Sequence, residues 1–438
     1  MGSLGDVDSP PSLSSRISTV VPATPRGEEN GAHELQFMDL LVKLHYFRAV
    51  YFFNSEAVQG FTSHDLKKPM FPLLDSCYHV SGRIRRSENG RPFIKCNDAG
   101  VRVGEAHCDK SLDEWFGENG YSLDGGLVHD HVLGPDIGFS PLVFVKFTWF
   151  KCGGLSVGLS WAHVLGDACS ALNFIAMWSQ ILAGQMPPKS LQVPNPTKPE
   201  FPPSVSQNPI SVRSANVIGE YWLATNAIKL ETHSFYVTSA QLEHLVSVTF
   251  GPNKQYAAET TSYFEILSAL LWNFISRIRG DSGPSAVTIC TNTSNRTENY
   301  FPINGLVLSK VEADLEARNS DISELSRLIA EKKMVENHGV EKLMEKDEGI
   351  GDFIVYGANL TFVDFEEFKF YGVKLNGQKP ILANCTFHGV GDQGVVLVLP
   401  GPEDNKENGG IGRMITVTLP EKELDQLKHQ LNREWGIV

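Results

Sequence analysis

The stretch QMPPKSLQVPNPTKPEFPPSVSQNP, Gln185–Pro209, carries eight prolines and no aliphatic periodicity. Proline has no amide hydrogen to give to a helix interior or a central strand, and it holds the residue before it extended. A run this rich in proline belongs to neither element. It is also far longer than the roughly two to six residues that usually join neighbouring elements. The chain therefore folds on either side of it, and the run reads as a crossover between two lobes. Length agrees, since at roughly 150 residues per domain the 438 residues hold two or three units. The expected division is a disordered lead-in rich in Gly, Ser, Pro and Asp over 1–16, an N-terminal lobe over 17–184, the crossover over 185–215 and a C-terminal lobe over 216–438.

Both halves mix helix and strand signals. LQFMDLLVKLHYFRAVYFF predicts a helix running into a strand, where Val50, Phe52 and Phe53 supply β propensity. VSGRIRRSENGRPFIKCNDAG predicts a hairpin at Asn89-Gly90, and SPLVFVKFTWFKCGGLSVGLSWAHV a second at Gly153-Gly154. DACSALNFIAMWSQILAG has helical spacing and a stop at Gly184. After the crossover, HSFYVTSAQL reads as a strand and TSYFEILSALLWNFISRIRG as a helix. DISELSRLIAEKKMVEN reads as a helix opened by an Asp321–Glu324 capping box. GVVLVLP and GRMITVTLP read as strands, and EKELDQLKHQLNREW as the closing helix. No period of 20–50 residues repeats, which excludes a solenoid. The fold class expected is α/β, in two lobes.

Charge narrows the functions. Lys and Arg number 38 against 51 Asp and Glu, a net charge of −13. That sign lacks the basic footprint a nucleic-acid binder needs and disfavours unaided docking on anionic lipid. The most apolar stretch, PLVFVKFTWFKCGGLSVGLSW, is broken by Lys146, Lys151 and two glycines, well short of about 18 uncharged apolar residues. The beginning, MGSLGDVDSPPSLSS, has neither a basic n-region nor an apolar h-region, and Asp6 stands where a myristoylation pattern has Ser or Thr. A protein kept on the cytosolic side is expected. The seven cysteines are scattered with no CxxC pair, so reduced buried thiols are expected. The sequons at Asn292, Asn295, Asn359 and Asn384 carry little weight without a secretory signal.

The segment SWAHVLGDACS holds the candidate chemistry. His163 follows a strand-like run and stands four residues before Asp167, with Gly166 between them. Histidine at such a turn can take a proton near neutrality, as deprotonation of a hydroxyl or amine attacking a thioester would require. By itself His-x-x-x-Asp is a common spacing, and a structural histidine accounts for it as well. His129 and His131 could share one side of a strand, but a third metal ligand is not in sight, and no metal site is expected. No GxSxG, Walker lysine loop or GxGxxG after a strand is present, so no bound cofactor is expected.

Several ordered segments together resemble the plant BAHD acyltransferases: Met38-Asp39-Leu40, HVSGRIR, CNDAGVRVGEA, SWAHVLGD, the long crossover and SALLWNFISRIRG. The resemblance implies two similar coenzyme A-dependent acyltransferase-like α/β lobes with a solvent channel between them. His163 would lie in that channel as the general base, and Asp167 would be structural, turned away from substrate. The second signature of the family, Asp-Phe-Gly-Trp-Gly-Lys-Pro, is degraded here to FKFYGVKLNGQKP, with Gly377, Lys379 and Pro380 as remnants. Its Tyr-Phe-Gly-Asn segment has become ICTNTSNRTENYFPING, where Tyr300, Phe301 and Asn304 remain but Pro302 and Ile303 interrupt.

These departures, with KLHYFRAVYFF, VHDHVLGPDIGFSPLVF, FKCGGLSVGLSWAHVLGD, YGANLTFVDF and HGVGDQGVVLVLP, are similar to the Eceriferum-type (Glossy-type) branch of cuticular wax proteins. The branch resemblance implies a role in making very-long-chain acyl-CoAs with the condensing enzyme, 3-ketoacyl-CoA synthase, of the endoplasmic-reticulum elongase. It further implies that the acyltransferase motif is dispensable there. Three readings follow: an accessory to that condensing enzyme, an acyltransferase using His163 as base, and a binder of acyl-CoA without chemistry. Under the first, the chain would be a monomer on its own. It would work in the cytoplasm or at the cytosolic face of the endoplasmic reticulum.

Overall fold

The structure is a computed structural model and describes residues 16–25, 31–123, 125–129, 137–186, 209–215, 228–251, 261–292, 303–313, 316–346, 350–403 and 410–438. Residues 1–15 of the lead-in, His131 and most of the crossover lie outside the described residues, and Arg16, expected in the lead-in, instead opens the first strand. Two large sheets organise the rest. The first has six strands in the order Arg16–Val20, Val101–Cys108, Val143–Phe150, Leu155–Ala162, Tyr46–Phe53, Leu382–His388. The second has seven, in the order Leu230–Val237, Ile411–Pro420, Val395–Glu403, Thr361–Asp364, Ala286–Asn292, Leu306–Glu312, Met334–Val335.

The strand carrying the candidate histidine follows the Gly153-Gly154 hairpin. Gly153 sits at φ +82° and its amide donates to Phe150 O at 2.8 Å, a left-handed turn that glycine adopts without strain. The returning strand, LSVGLSWA, is buried along its whole length. Burial on both faces has a local cause at Gly158, where a Cβ would meet Leu127 O at 2.1 Å because chain 125–129 crosses directly over it. The Asn89-Gly90 hairpin is also present, pairing Arg83–Arg86 with Pro92–Lys95.

The helix Ala168–Leu182 presents Ala171, Leu172, Phe174, Ile175 and Trp178 to the core and stops before Gly184 at φ +85°. The helices Tyr263–Arg279 and Glu421–Trp435 fall where the apolar periodicity puts them. Two elements differ from the sequence reading. The strand from His233 ends at Val237, and SAQL opens a helix Ser239–Phe250 capped by Thr238 and Gln241. The helix from Ile322 stops at Glu331, and Met334–Val335 instead pairs with Ser309 and Lys310 as an edge strand. Asp321 caps that helix by accepting from Ser323 N at 3.1 Å. None of the seven cysteines is in a disulfide; five are buried, Cys169 is half-buried and Cys152 is exposed.

One strand crosses the division between halves. Leu382–His388, from the C-terminal half, pairs antiparallel with Tyr46–Phe53 through seven positions and completes the first sheet. The apolar core is continuous across the halves as a result, with Phe47, Tyr51 and Trp161 in the same cluster as Cys290, Tyr356, Phe365 and Met414. At its centre Asn384 is fully buried and joins the two sheets. It donates to Tyr121 O at 2.7 Å and Ser234 Oγ at 2.8 Å, and accepts from Thr416 Oγ1 and Cys385 N, both at 2.8 Å. This burial leaves the Asn384 sequon no room for a glycan in the folded chain. Asn384→Ala strips these partners together and is expected to destabilise the protein by about 2–4 kcal/mol in urea denaturation. A loss below about 0.5 kcal/mol, the size of an ordinary surface change, would show that this buried network does not hold the lobes.

Candidate active site

His163 is the first residue of a short 3₁₀ turn, His163–Leu165, at the end of its buried strand. Its amide donates to His45 O at 3.1 Å, and its carbonyl accepts from Asn304 Nδ2 at 3.1 Å. The imidazole is 0 % exposed, so the structure does not leave it open to solvent as the family resemblance implies. Two aromatic side chains cover it. The Phe387 ring lies nearly parallel to it at 5.6 Å and 19°, and the Tyr356 hydroxyl is hydrogen-bonded to Nε2 at 2.8 Å. Tyr356 itself stacks on Phe387 with centroids 3.8 Å apart and planes 12° apart. Burial pulls the His163 pKa below its usual value, with the Asp167 charge opposing, so the ring is neutral near pH 7. Burial also pushes the Tyr356 phenol well above its usual range, so it keeps its proton. With the Nδ1–H tautomer, Nε2 accepts from the phenol. A neutral imidazole accepting from a hydroxyl is the arrangement of a general base and its acceptor, but the hydroxyl here is the protein's own.

Asp167 points elsewhere. Gly166, at φ 153° and ψ 167°, takes a conformation that side-chain-bearing residues avoid, and it accepts from Trp161 Nε1 at 2.9 Å. The chain turns there, and Asp167 becomes the N-cap of the helix Ala168–Leu182, accepting from Ser170 N at 3.1 Å. Its other oxygen accepts from Gly305 N at 3.0 Å, and its own amide donates to Ile303 O at 3.0 Å. Asp167 therefore fastens segment 303–305, from the C-terminal half, beside His163. Asn304 in that segment also donates to Asp39 Oδ1 at 2.6 Å. Burial pushes the Asp39 carboxyl up to about 6, against the hydrogen bonds from Asn304 and the Gln36 amide and with a contribution from the Asp167 charge.

Three side chains at this site are not singled out by motif: Tyr356, Phe387 and His45. His45 Nε2 accepts from Val355 N at 3.0 Å and holds the Tyr356 ring edge-on at 5.0 Å. Burial, and secondly the nearby His163, lower its pKa to about 3. The signal that could have found two of them lies in the branch resemblance, because His45 belongs to KLHYFRAVYFF and Tyr356 to YGANLTFVDF.

Of the second-signature remnants, Gly377 and Lys379 lie on the surface. Asn376 and Gly377, at φ 48° and 78°, make a two-residue turn closed by Leu375 N to Gln378 O at 3.0 Å and the reciprocal bond at 2.9 Å. Lys379 forms an exposed ion pair with Glu403 at 2.6 Å, and Pro380 is buried. Tyr300, Phe301 and Pro302 lie outside the described residues. His129 packs its ring against Phe144 with centroids 4.1 Å apart. Among the described residues no group of three or more His, Cys, Asp or Glu is arranged to hold a metal ion.

Comparison with known proteins gives consistent results. The Transferase family matches residues 14–433. Protein ECERIFERUM 2 of Arabidopsis thaliana is 41 % identical over 435 residues, covering 96 % of this chain and 98 % of that one. Among solved structures, vinorine synthase superposes with a TM-score of 0.66 at 17 % identity, covering 94 % of this chain and 95 % of that one. Fusarium graminearum TRI101, complexed with coenzyme A and deoxynivalenol, gives 0.66 at 14 % identity, covering 93 % and 98 %.

Two measurements check the roles of the carboxylates. Asp167→Ala removes an N-cap and the tie to Gly305 and is expected to lose about 2–3 kcal/mol of folding stability, read by thermal or urea denaturation. An unchanged midpoint would remove the structural role. Asp39 binds its proton more tightly folded, near 6, than its ordinary 3.8. Its contribution to stability is therefore fully present below about pH 4 and is lost as pH rises through about 6, by at most about 1.4 kcal/mol per pH unit. The stability of Asp39→Asn relative to the parent should rise between pH 4 and 6, and a flat difference would contradict a buried, pKa-raised Asp39.

Proposed function

Because this chain belongs to the BAHD transferase family and to its Eceriferum-type branch, we propose that it promotes elongation of very-long-chain acyl-CoAs for plant wax. In this reading it acts with an elongase condensing enzyme, a 3-ketoacyl-CoA synthase, and not by transferring acyl groups itself. It works at the cytosolic face of the endoplasmic reticulum, held there by that integral partner. No helix among the described residues is long and apolar enough to cross a membrane, and a net charge of −13 disfavours direct adhesion to anionic lipid. Acyl-CoA is the proposed ligand, and no resident cofactor is part of the reading.

The observation that carries this reading is the hydroxyl of Tyr356 on Nε2 of His163 at 2.8 Å. A base whose acceptor position is filled by a stacked, buried tyrosine is not presented to an outside alcohol or amine. The degraded second signature, folded into a surface turn at Asn376-Gly377, supports it further. One observation favours the alternative of a working acyltransferase: His163 is neutral and already paired with a hydroxyl, the protonation state a base requires.

Yeast carrying a plant condensing enzyme separates the two. With the wild-type chain the acyl profile should extend to longer chains, and His163→Ala at equal protein level should extend it equally. Loss of extension in His163→Ala would transfer the case to the acyltransferase reading, where removing a general base lowers rate by about 10²–10⁴-fold. No extension with the wild-type chain would overturn the elongase reading.

A further inference from the structure

The Tyr356 ring is held by groups that suit a phenol and not a generic apolar residue. Its face lies on Phe387 at 3.8 Å and 12°, its edge meets His45 at 5.0 Å and 77°, and its hydroxyl meets His163 Nε2 at 2.8 Å. Ring stacking and edge-to-face packing each favour an aromatic ring over an aliphatic side chain. The backbone behind it is also pinned. Val355 N donates to His45, Tyr356 O accepts from Gly391 N at 2.8 Å, and Gly357 lies so close to Gly391 that a Cβ would meet its carbonyl oxygen at 2.5 Å. The platform, the edge and the hydrogen-bond acceptor come from three separate chain segments, so the site does not owe its shape to Tyr356 alone.

We infer that Tyr356 is a built-in occupant of a phenol-shaped acceptor site: its side chain fills the position at His163 Nε2 that an outside hydroxyl would need, and so closes the site. This deepens the reading of a chain that transfers no acyl group, since it names the side chain that closes the base. Emptied of this ring, the same position would suit a small phenol, with His163 Nε2 to accept its hydroxyl. Removing the ring should leave a buried hole lined by the rings of Phe387, His45 and His163, which an aromatic molecule of matching size with a hydroxyl for His163 Nε2 can refill.

The test uses the full-length Tyr356→Ala protein titrated with p-cresol, the free-molecule analogue of the tyrosine side chain. Calorimetry should show saturable one-to-one binding to Tyr356→Ala, with none to wild type or to Tyr356→Phe, whose ring still fills the hole. Adding His163→Ala to Tyr356→Ala should weaken p-cresol by roughly two- to tenfold, the span of one ordinary hydrogen bond. If Tyr356→Ala does not fold by itself, Tyr356→Val, which keeps part of the apolar volume, is titrated with phenol under the same expectation. Absence of binding to a folded cavity variant would overturn the proposal, as would equal binding with and without His163. Neither outcome depends on wax chain length, so failure here and failure of the elongase reading are told apart.

Discussion

The strand Leu382–His388 carries the rest of the arrangement. It begins in the C-terminal half and ends paired along seven positions with Tyr46–Phe53 in the sheet of the other half. Separating the lobes would break a ladder in the middle of the molecule and expose Asn384, whose hydrogen-bonding groups are all partnered within the interior. The same pairing sets Phe387 directly opposite Phe47, with ring centroids 5.6 Å apart. Phe387 is then the floor on which both Tyr356 and His163 lie. Phe387 is part of the burial that keeps the imidazole neutral, so the strand that crosses between the halves helps to enclose His163.

The His-x-x-x-Asp spacing does not describe a pair. Gly166 turns the chain between its two members, which leaves His163 facing the aromatic floor and Asp167 capping a helix. Asp167 and Asp39 both hold segment 303–305, one through Gly305 N and one through Asn304 Nδ2. Two carboxylates from the N-terminal half thus grip a loop of the C-terminal half, and Asn304 passes that grip to the His163 carbonyl. In energetic terms this is a positioning device: charge-assisted hydrogen bonds made where solvent is scarce are stronger than surface ones.

Local features were legible in the sequence because they depend on neighbours in the chain. The turns at Asn89-Gly90 and Gly153-Gly154, and the helices Ala168–Leu182 and Glu421–Trp435, follow from glycine conformation and apolar spacing. Met334–Val335 forms an edge strand because the helical pattern there loses to tertiary partners. Asn337 satisfies both Leu308 N at 2.8 Å and Leu306 O at 2.9 Å, and Glu336 accepts from the Ile210 and Ser211 amides. The lid over His163 was illegible for a different reason. Tyr356 stands 193 residues from His163, and no periodicity reports a contact at that range. What the sequence did hold was the branch-specific segments, two of which, the ones containing His45 and Tyr356, meet at this histidine.

The presence of an intact SWAHVLGD segment invites the conclusion that its chemistry is intact as well. The structure also gives His163 a place in the packing. Its amide, its carbonyl and its Nε2 are each engaged, with His45, Asn304 and Tyr356, and the ring is stacked on Phe387. Removing the side chain would leave a buried phenol without a partner and an aromatic stack with a gap, penalties that arise whether or not a proton is ever transferred. A histidine kept for packing and one kept for catalysis are therefore indistinguishable by the motif alone. They differ in what occupies the far side of Nε2, and in this chain that place is taken by a side chain from within.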